Sequence, residues 1–210
     1  MKSAEFKKYV TKYFAPKLRV KDWKGSGFLY QKENQFPIYY LLGFQINSSG
    51  DSFTLEYSIY FTFSNDIRKE KLLLNKITYA NAEMPFRKRI PDNGKWFKIP
   101  ETENDVIELL EYIWCEFEEI ALTEFDKSIL LLEQTNKIKV TSEKIITPEN
   151  FTFKFSKKIR ARTLLTLAEI YRYRGDKNKV KEYCSLAIEL IGDSMKGSAL
   201  LPLLNEMKNE

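Results

Sequence analysis

From Phe53 to Phe63 every odd position is apolar (Phe53, Leu55, Tyr57, Ile59, Phe61, Phe63), while the even positions read Thr54, Glu56, Ser58, Tyr60 and Thr62. A period of two predicts a strand with one face in the core and one face wet. The apolar run from Ile38 to Ile46 is its partner, and Asn47-Ser48-Ser49-Gly50-Asp51 between them predicts the turn of a hairpin. Upstream the period changes. Phe6, Tyr9, Val10, Tyr13 and Phe14 share one helical face, with Ser3 as the predicted N-cap and Pro16 as the predicted end or kink. Gly25 and Gly27 then supply the turn into a first strand. Residues 67–80 read as a strand with a slip in its alternation. Ile90 to Ile99 reads as a second hairpin turning on Asp92-Asn93-Gly94. Within it, the adjacent Trp96 and Phe97 must face opposite sides, one into the core and one outward.

The longest helix follows. Thr102 or Asn104 can cap it, and Glu101, Glu103 and Asp105 suit the positive end of its dipole. Val106, Leu109, Leu110, Ile113, Trp114, Phe117, Ile120 and Ala121 form one apolar stripe, opposite an acidic face. Such a helix belongs across one face of the sheet. Beyond Phe155, Leu164, Leu165, Leu167, Ala168 and Tyr171 form one helical face. Gly175-Asp176 breaks the helix, and Val180, Tyr183, Cys184, Ala187, Ile188 and Ile191 form a second face. A last helix is predicted over 198–208, with Pro202 in its first turn.

Two resemblances emerge from these residues. Trp23-Lys24-Gly25-Ser26-Gly27-Phe28-Leu29, the hairpin ending in Phe61-Thr62-Phe63, Arg89-Ile90 and the aromatic pair Trp96-Phe97 stand between an N-terminal helix and a long later one. That order and spacing, over roughly residues 3–130, resembles the bacterial domain-of-unknown-function family 4304. Here Pro91 stands where that family usually has glycine. The likeness implies a fold; the family's activity is not established, so it implies no reaction. Leu167-Ala168-Glu169-Ile170-Tyr171, Gly175-Asp176 and Ala187-Ile188 resemble a single tetratricopeptide helical hairpin. A single such unit cannot bury its own apolar face and must pack on the rest of the protein or on a partner.

Composition narrows the chemistry. The 210 residues, 43% hydrophobic and 14% aromatic, are those of a folded chain with room for one generous core, or for a core with a small helical appendage. No apolar run reaches the roughly 18–20 residues of a membrane span. The N-terminal residues read as helix rather than as a signal peptide, and the expected location is the cytoplasm. The two cysteines, Cys115 and Cys184, both fall on predicted apolar helix faces and are expected to be buried thiols, not a disulfide. The chain has no histidine, which excludes Ser-His-Asp and Cys-His catalysis and imidazole-ligated zinc. Neither a dinucleotide fingerprint nor a phosphate loop is present. No cofactor or metal is implied.

Net charge is only +5 but it is segregated: residues 101–126 hold ten acids and no base, whereas 1–32 and 67–98 each hold nine bases. Blocks of this kind mark charged binding surfaces or compensate each other within the fold. The candidate partner-binding carboxylates are Glu108, Glu111, Glu118 and Glu119, and the partner they suit is a basic protein. The candidate basic and aromatic surface is Arg87, Lys88, Arg89 and Trp96, which suits single-stranded nucleic acid; Lys157 to Arg162 is a second basic run.

The sequence therefore predicts an α+β protein. Residues 1–150 form an antiparallel sheet of four to six strands packed by an N-terminal helix and a long amphipathic helix, and residues 151–210 form a helical region containing a hairpin. The leading functional expectation is a non-enzymatic interaction module, an adaptor or an immunity-type inhibitor acting through an acidic face. The alternatives are a nucleic-acid-associated protein and an enzyme whose motif is not recognisable.

Overall fold

A computed structural model describes residues 1–34, 37–64, 87–91, 95–121, 123, 125, 133–141, 144–146, 152–153, 157–192 and 198–210. The fold is α+β, as predicted, and the chain divides into two compact units. The described part of the first lies within 1–62 and 87–125; the second holds 63–64 and 133–210.

The first unit is built on an antiparallel sheet. Its strands are β1 (Lys24–Ser26), β2 (Leu29–Glu33), β3 (Ile38–Ile46), β4 (Ser52–Phe61), β5 (Arg87–Ile90) and β6 (Phe97–Lys98). The predicted long hairpin is present, with Ile46 opposite Phe53 and Ile38 opposite Phe61. At its turn Gly50 has φ +75°, and the Asp51 carboxylate accepts hydrogen bonds from Asn47 (2.7 Å), Ser49 (2.7 Å) and Ser52 (2.9 Å). These donors, Asn47 first, hold the Asp51 carboxyl down at about 2. Between β1 and β2 the chain turns so tightly that a Cβ on Gly25 would lie 2.2 Å from the Leu29 carbonyl oxygen; only glycine fits.

Two expectations about this sheet are corrected. The second hairpin does not form. β5 and β6 each pair with β4, one after the other along the same edge, Leu55 opposite Ile90 and Phe53 opposite Phe97. A ten-residue strand has room for both, and Ile99 N–H donating to the Asp51 carbonyl (2.8 Å) extends that ladder. The residues expected to turn it, 92–94, and the strand predicted over 67–80 lie outside the described residues. Nor is there a wet face on β4: Thr54, Glu56, Ser58 and Tyr60 are as buried as Phe53, Leu55, Tyr57, Ile59 and Phe61. Polar identity signalled exposure, but two of these groups find their partners inside the protein. The Thr54 hydroxyl donates to the Ile90 carbonyl (2.9 Å), and Glu56 meets Arg89.

Helices cover the odd face. The N-terminal helix comprises α1 (Ser3–Tyr9), a π turn (Val10–Phe14) and α2 (Ala15–Val20). Its N-cap is Lys2, not Ser3, and it does not stop at Pro16. Proline offers no N–H and crowds the preceding turn. The wider π turn, closed by Ala15 N–H on the Val10 carbonyl, lets the helix continue past it. α3 (Glu103–Glu116) is capped by Thr102, whose hydroxyl accepts from Asp105 N–H, and it too ends in a π turn (Phe117–Ala121). Phe6 packs on Phe53 with ring centroids 4.5 Å apart, Phe14 on Phe44 (5.1 Å) and Trp114 (5.4 Å), and Tyr40 stacks on Phe125 (4.2 Å). Each such pair contributes about 0.5–1.5 kcal/mol beyond the area it buries.

The second unit contains a small antiparallel sheet that the sequence did not announce, β7 (Lys139–Val140), β8 (Ile145–Ile146) and β9 (Thr152–Phe153). It also contains the predicted hairpin of α4 (Lys157–Tyr173) and α5 (Lys177–Ile191), followed by α6 (Leu200–Asn209). Gly175, at φ +78°, ends α4, and the Asp176 carboxylate caps α5 by accepting from Lys179 N–H (3.0 Å). Leu164, Leu165, Ala168, Cys184, Ala187, Leu203, Leu204 and Met207 form one buried cluster, so α6 helps cover the hairpin's apolar side. Among the described residues no helix is long and apolar enough to cross a membrane.

Two measurements test this arrangement. Ile59→Ala, which empties a fully buried position, should cost roughly 2–5 kcal/mol in denaturant unfolding. Half-buried Thr62→Ala should stay within about 0.5 kcal/mol. The Asp51 carboxyl should titrate near 2 by NMR, below its ordinary value of 3.8. Because its folded pKa is depressed, its contribution to stability is complete above that ordinary value and is lost as pH falls towards 2. Asp51→Asn should abolish that portion of the acid dependence.

Candidate functional site

Two charged regions of the first unit stand out, and each is shaped by what its residues already do within the fold. On α3 the apolar stripe faces inward: Val106, Leu110, Ile113, Trp114 and Phe117 are buried. Part of the acidic side is taken up by the N-terminal helix. Lys12 pairs with Glu103 (3.0 Å), Lys17 with Glu111, and Lys21 with Glu118 (2.9 Å). Tyr13 adds its hydroxyl to Glu103 at 2.6 Å, and this bond first, then Lys12, holds the Glu103 carboxyl below its usual range. The Lys12 ammonium is correspondingly raised. Of the four carboxylates named as a partner surface, Glu111 and Glu118 are therefore engaged at home. Glu108 and Glu119 are exposed and make no ion pair among the described residues.

The outward face of α3 reads Asn104, Glu108, Glu111, Tyr112, Cys115 and Glu119, a single strip at helical spacing. Tyr112 is its centre, 50% exposed, with its ring edge against Phe97 at 6.2 Å. Burial of the hydroxyl, then neighbouring Glu116, pushes its pKa up, so the phenol stays protonated. Sequence reading missed Tyr112. Its one signal was position: an aromatic four residues after Glu108 and opposite the apolar stripe. Two assignments on this helix are corrected. Cys115 lies on the exposed strip rather than in the core, because it is one position past Trp114 and points away from the sheet. Ile120, assigned to the apolar stripe, is partly exposed, since the π turn over 117–121 shifts the phase of the last residues. Cys184 is buried as expected, and burial lifts its thiol to about 11.

The basic triplet is likewise divided. Arg89 approaches Glu56 at 2.9 Å; the carboxylate side chain is 1% exposed and the guanidinium 36%. The same guanidinium lies 5.9 Å from the ring centre of Trp96. Lys88 is exposed, and Arg87 is placed by register opposite Ser58, itself a buried residue whose hydroxyl has no hydrogen-bond partner among the described residues. Trp96, 38% exposed, faces outward and Phe97 packs on Phe53 (5.5 Å), which is the division predicted for adjacent strand residues. The second basic run is not a continuous surface, because Arg160 is buried within α4.

No group of three His, Cys, Asp or Glu able to hold a metal ion occurs among the described residues. Comparisons with protein-family models, with curated proteins and with solved structures find no match to this chain.

Arg89→Ala should cost roughly 3 kcal/mol, because it takes a counter-charge away from the buried Glu56 carboxylate. Lys88→Ala should be nearly silent. Thermal or chemical unfolding separates the two, and equal small losses would show that Glu56 does not depend on Arg89.

Proposed function

We propose that this protein is a non-catalytic interaction module of the cytoplasm that binds a basic protein through the outward face of α3. The observation that carries the reading is Tyr112, half exposed and flanked on its own strip by Glu108, Glu111 and Glu119. An aromatic ring already braced by Phe97 loses little freedom on binding, and tyrosine is among the residues that dominate interface energies. Carboxylates around such an anchor attract a cationic partner and orient its approach. An adaptor and an immunity-type inhibitor both fit this description. A relationship to the bacterial domain-of-unknown-function family 4304 is proposed on the same footing. What supports it is the succession of helix, Gly25–Gly27 turn, long hairpin, Arg89–Ile90 strand and long helix.

Nucleic-acid association is the second reading, favoured by Lys88, Lys95 and Lys98, all exposed near an outward-facing Trp96 in sequence and strand register. Its charge is reduced by Arg89, which serves Glu56.

The test begins with affinity purification from the native host and purification of the protein retained. Glu108→Lys with Glu119→Lys should slow association at least tenfold at low salt and leave the melting temperature unchanged, since both side chains are exposed. Tyr112→Ala should weaken binding by about 2 kcal/mol, read mainly as faster dissociation. A partner held equally well by both variants would overturn the assignment. Retention of nucleic acid lost on Trp96→Ala would favour the second reading.

A further inference from the structure

We infer that the helical unit carries a second, oppositely charged docking site: a basic groove that takes an acidic peptide with an apolar side chain between its carboxylates. The groove encloses about 390 Å³ where the α4–α5 turn meets the end of α6. Four bases line it. Arg172 comes from the last turn of α4, Lys177 and Lys181 from one face of the first turns of α5, and Lys208 from the end of α6. The floor is apolar, made by buried Val180 and Met207.

The lining contains one acid, Glu210, and it behaves as a resident stand-in. Its side-chain carboxylate lies 3.4 Å from Arg172 Nε, and Lys177 Nζ donates to its main-chain oxygen (3.0 Å). The nearby acids of α5 are occupied elsewhere: Asp176 caps the helix, and Glu182 pairs with Lys179 (2.7 Å). Lys181 and Lys208 make no ion pair among the described residues. Four cations thus face one acidic side chain, and an incoming acidic segment can add to it by displacing the Glu210 side chain from Arg172 and reaching the two lysines. The apolar floor then accepts the side chain between them. No aromatic side chain lines the groove, so it lacks the stacking surface that single-stranded nucleic acid uses. The groove is open at the turn, where nothing lies within 4 Å of the position a Cβ on Gly175 would occupy.

The inference does not depend on the α3 face and fails separately from it. A fluorescein-labelled peptide alternating glutamate and leucine should bind the full chain by anisotropy and weaken steeply with added NaCl. Lys177→Glu with Lys181→Glu should weaken it about tenfold or more, which corresponds to about 1.4 kcal/mol. Both positions are exposed, and an acid in the first turn suits the helix dipole, so the fold should be retained. Glu210→Gln removes the internal competitor and should tighten binding several-fold. Equal affinity for the glutamine counterpart of the peptide, equal or tighter binding of a labelled oligothymidylate, or indifference to the double reversal would each overturn the proposal.

Discussion

Burial of β4 on both faces is the constraint from which the first unit follows. A ten-residue strand with β3 on one side and β5 and β6 on the other has no free edge along most of its length. Phe53 from its odd face and Phe44 from the neighbouring β3 form the floor for Phe6 and Phe14, which sets where the N-terminal helix can lie. Its even residues are removed from water as well, so the polar groups there that are paired find their partners within the protein. Thr54 uses the Ile90 carbonyl and Glu56 uses Arg89. This demand reaches the surface: an arginine that reads as part of a phosphate-binding triplet is instead the counter-charge of an interior carboxylate. Arg89 is still close enough to Trp96 to brace the ring.

Charge is distributed by the same logic of prior commitment. The ion pairs from Lys12, Lys17 and Lys21 to Glu103, Glu111 and Glu118 tie the N-terminal helix to α3 along its length. Exposed pairs of this sort contribute little each to stability, about 0–1 kcal/mol. Their larger consequence is selective: they remove half of the candidate carboxylates from competition and leave Glu108 and Glu119 beside Tyr112. Lys17 and Lys21 also lie within about 6 Å of the Trp114 ring, at 5.6 and 6.0 Å, so the aliphatic stems of these lysines cover the aromatic core while their ends meet the acids.

In the helical unit several polar residues of α4 are interior too. Thr163, Thr166 and Glu169 are buried along with Leu164, Leu165 and Ala168. Thr163 and Thr166 return their hydroxyls to carbonyls four residues back, and Glu169 accepts from Ser64 (2.9 Å) while Phe63 stacks on Tyr173 (4.6 Å). A helix whose sequence looks amphipathic is thereby enclosed. The hairpin leaves its charge at its turn, where Arg172, Lys177 and Lys181 converge with Lys208.

Periodicity alone determined the long hairpin, the capped acidic helix, the Gly175-Asp176 break and the final helix, because these are local: a period of two or 3.6, a cap and a positive φ are written within a few neighbouring residues. Tertiary structure alone decided that β5 and β6 share the edge of β4, that its polar face is interior, and that the helix runs on through Pro16. It also decided that Cys115 and Tyr112 face outward while Arg89 and Glu111 are engaged. Each of those outcomes rests on a partner distant in the chain, Glu56 for Arg89, Lys17 for Glu111, Ile90 for Thr54. Alternation reports that two faces of a strand differ in polarity. Whether the polar face meets water or the protein's own donors and counter-charges depends on what packs against it, and that is a property of the assembled fold.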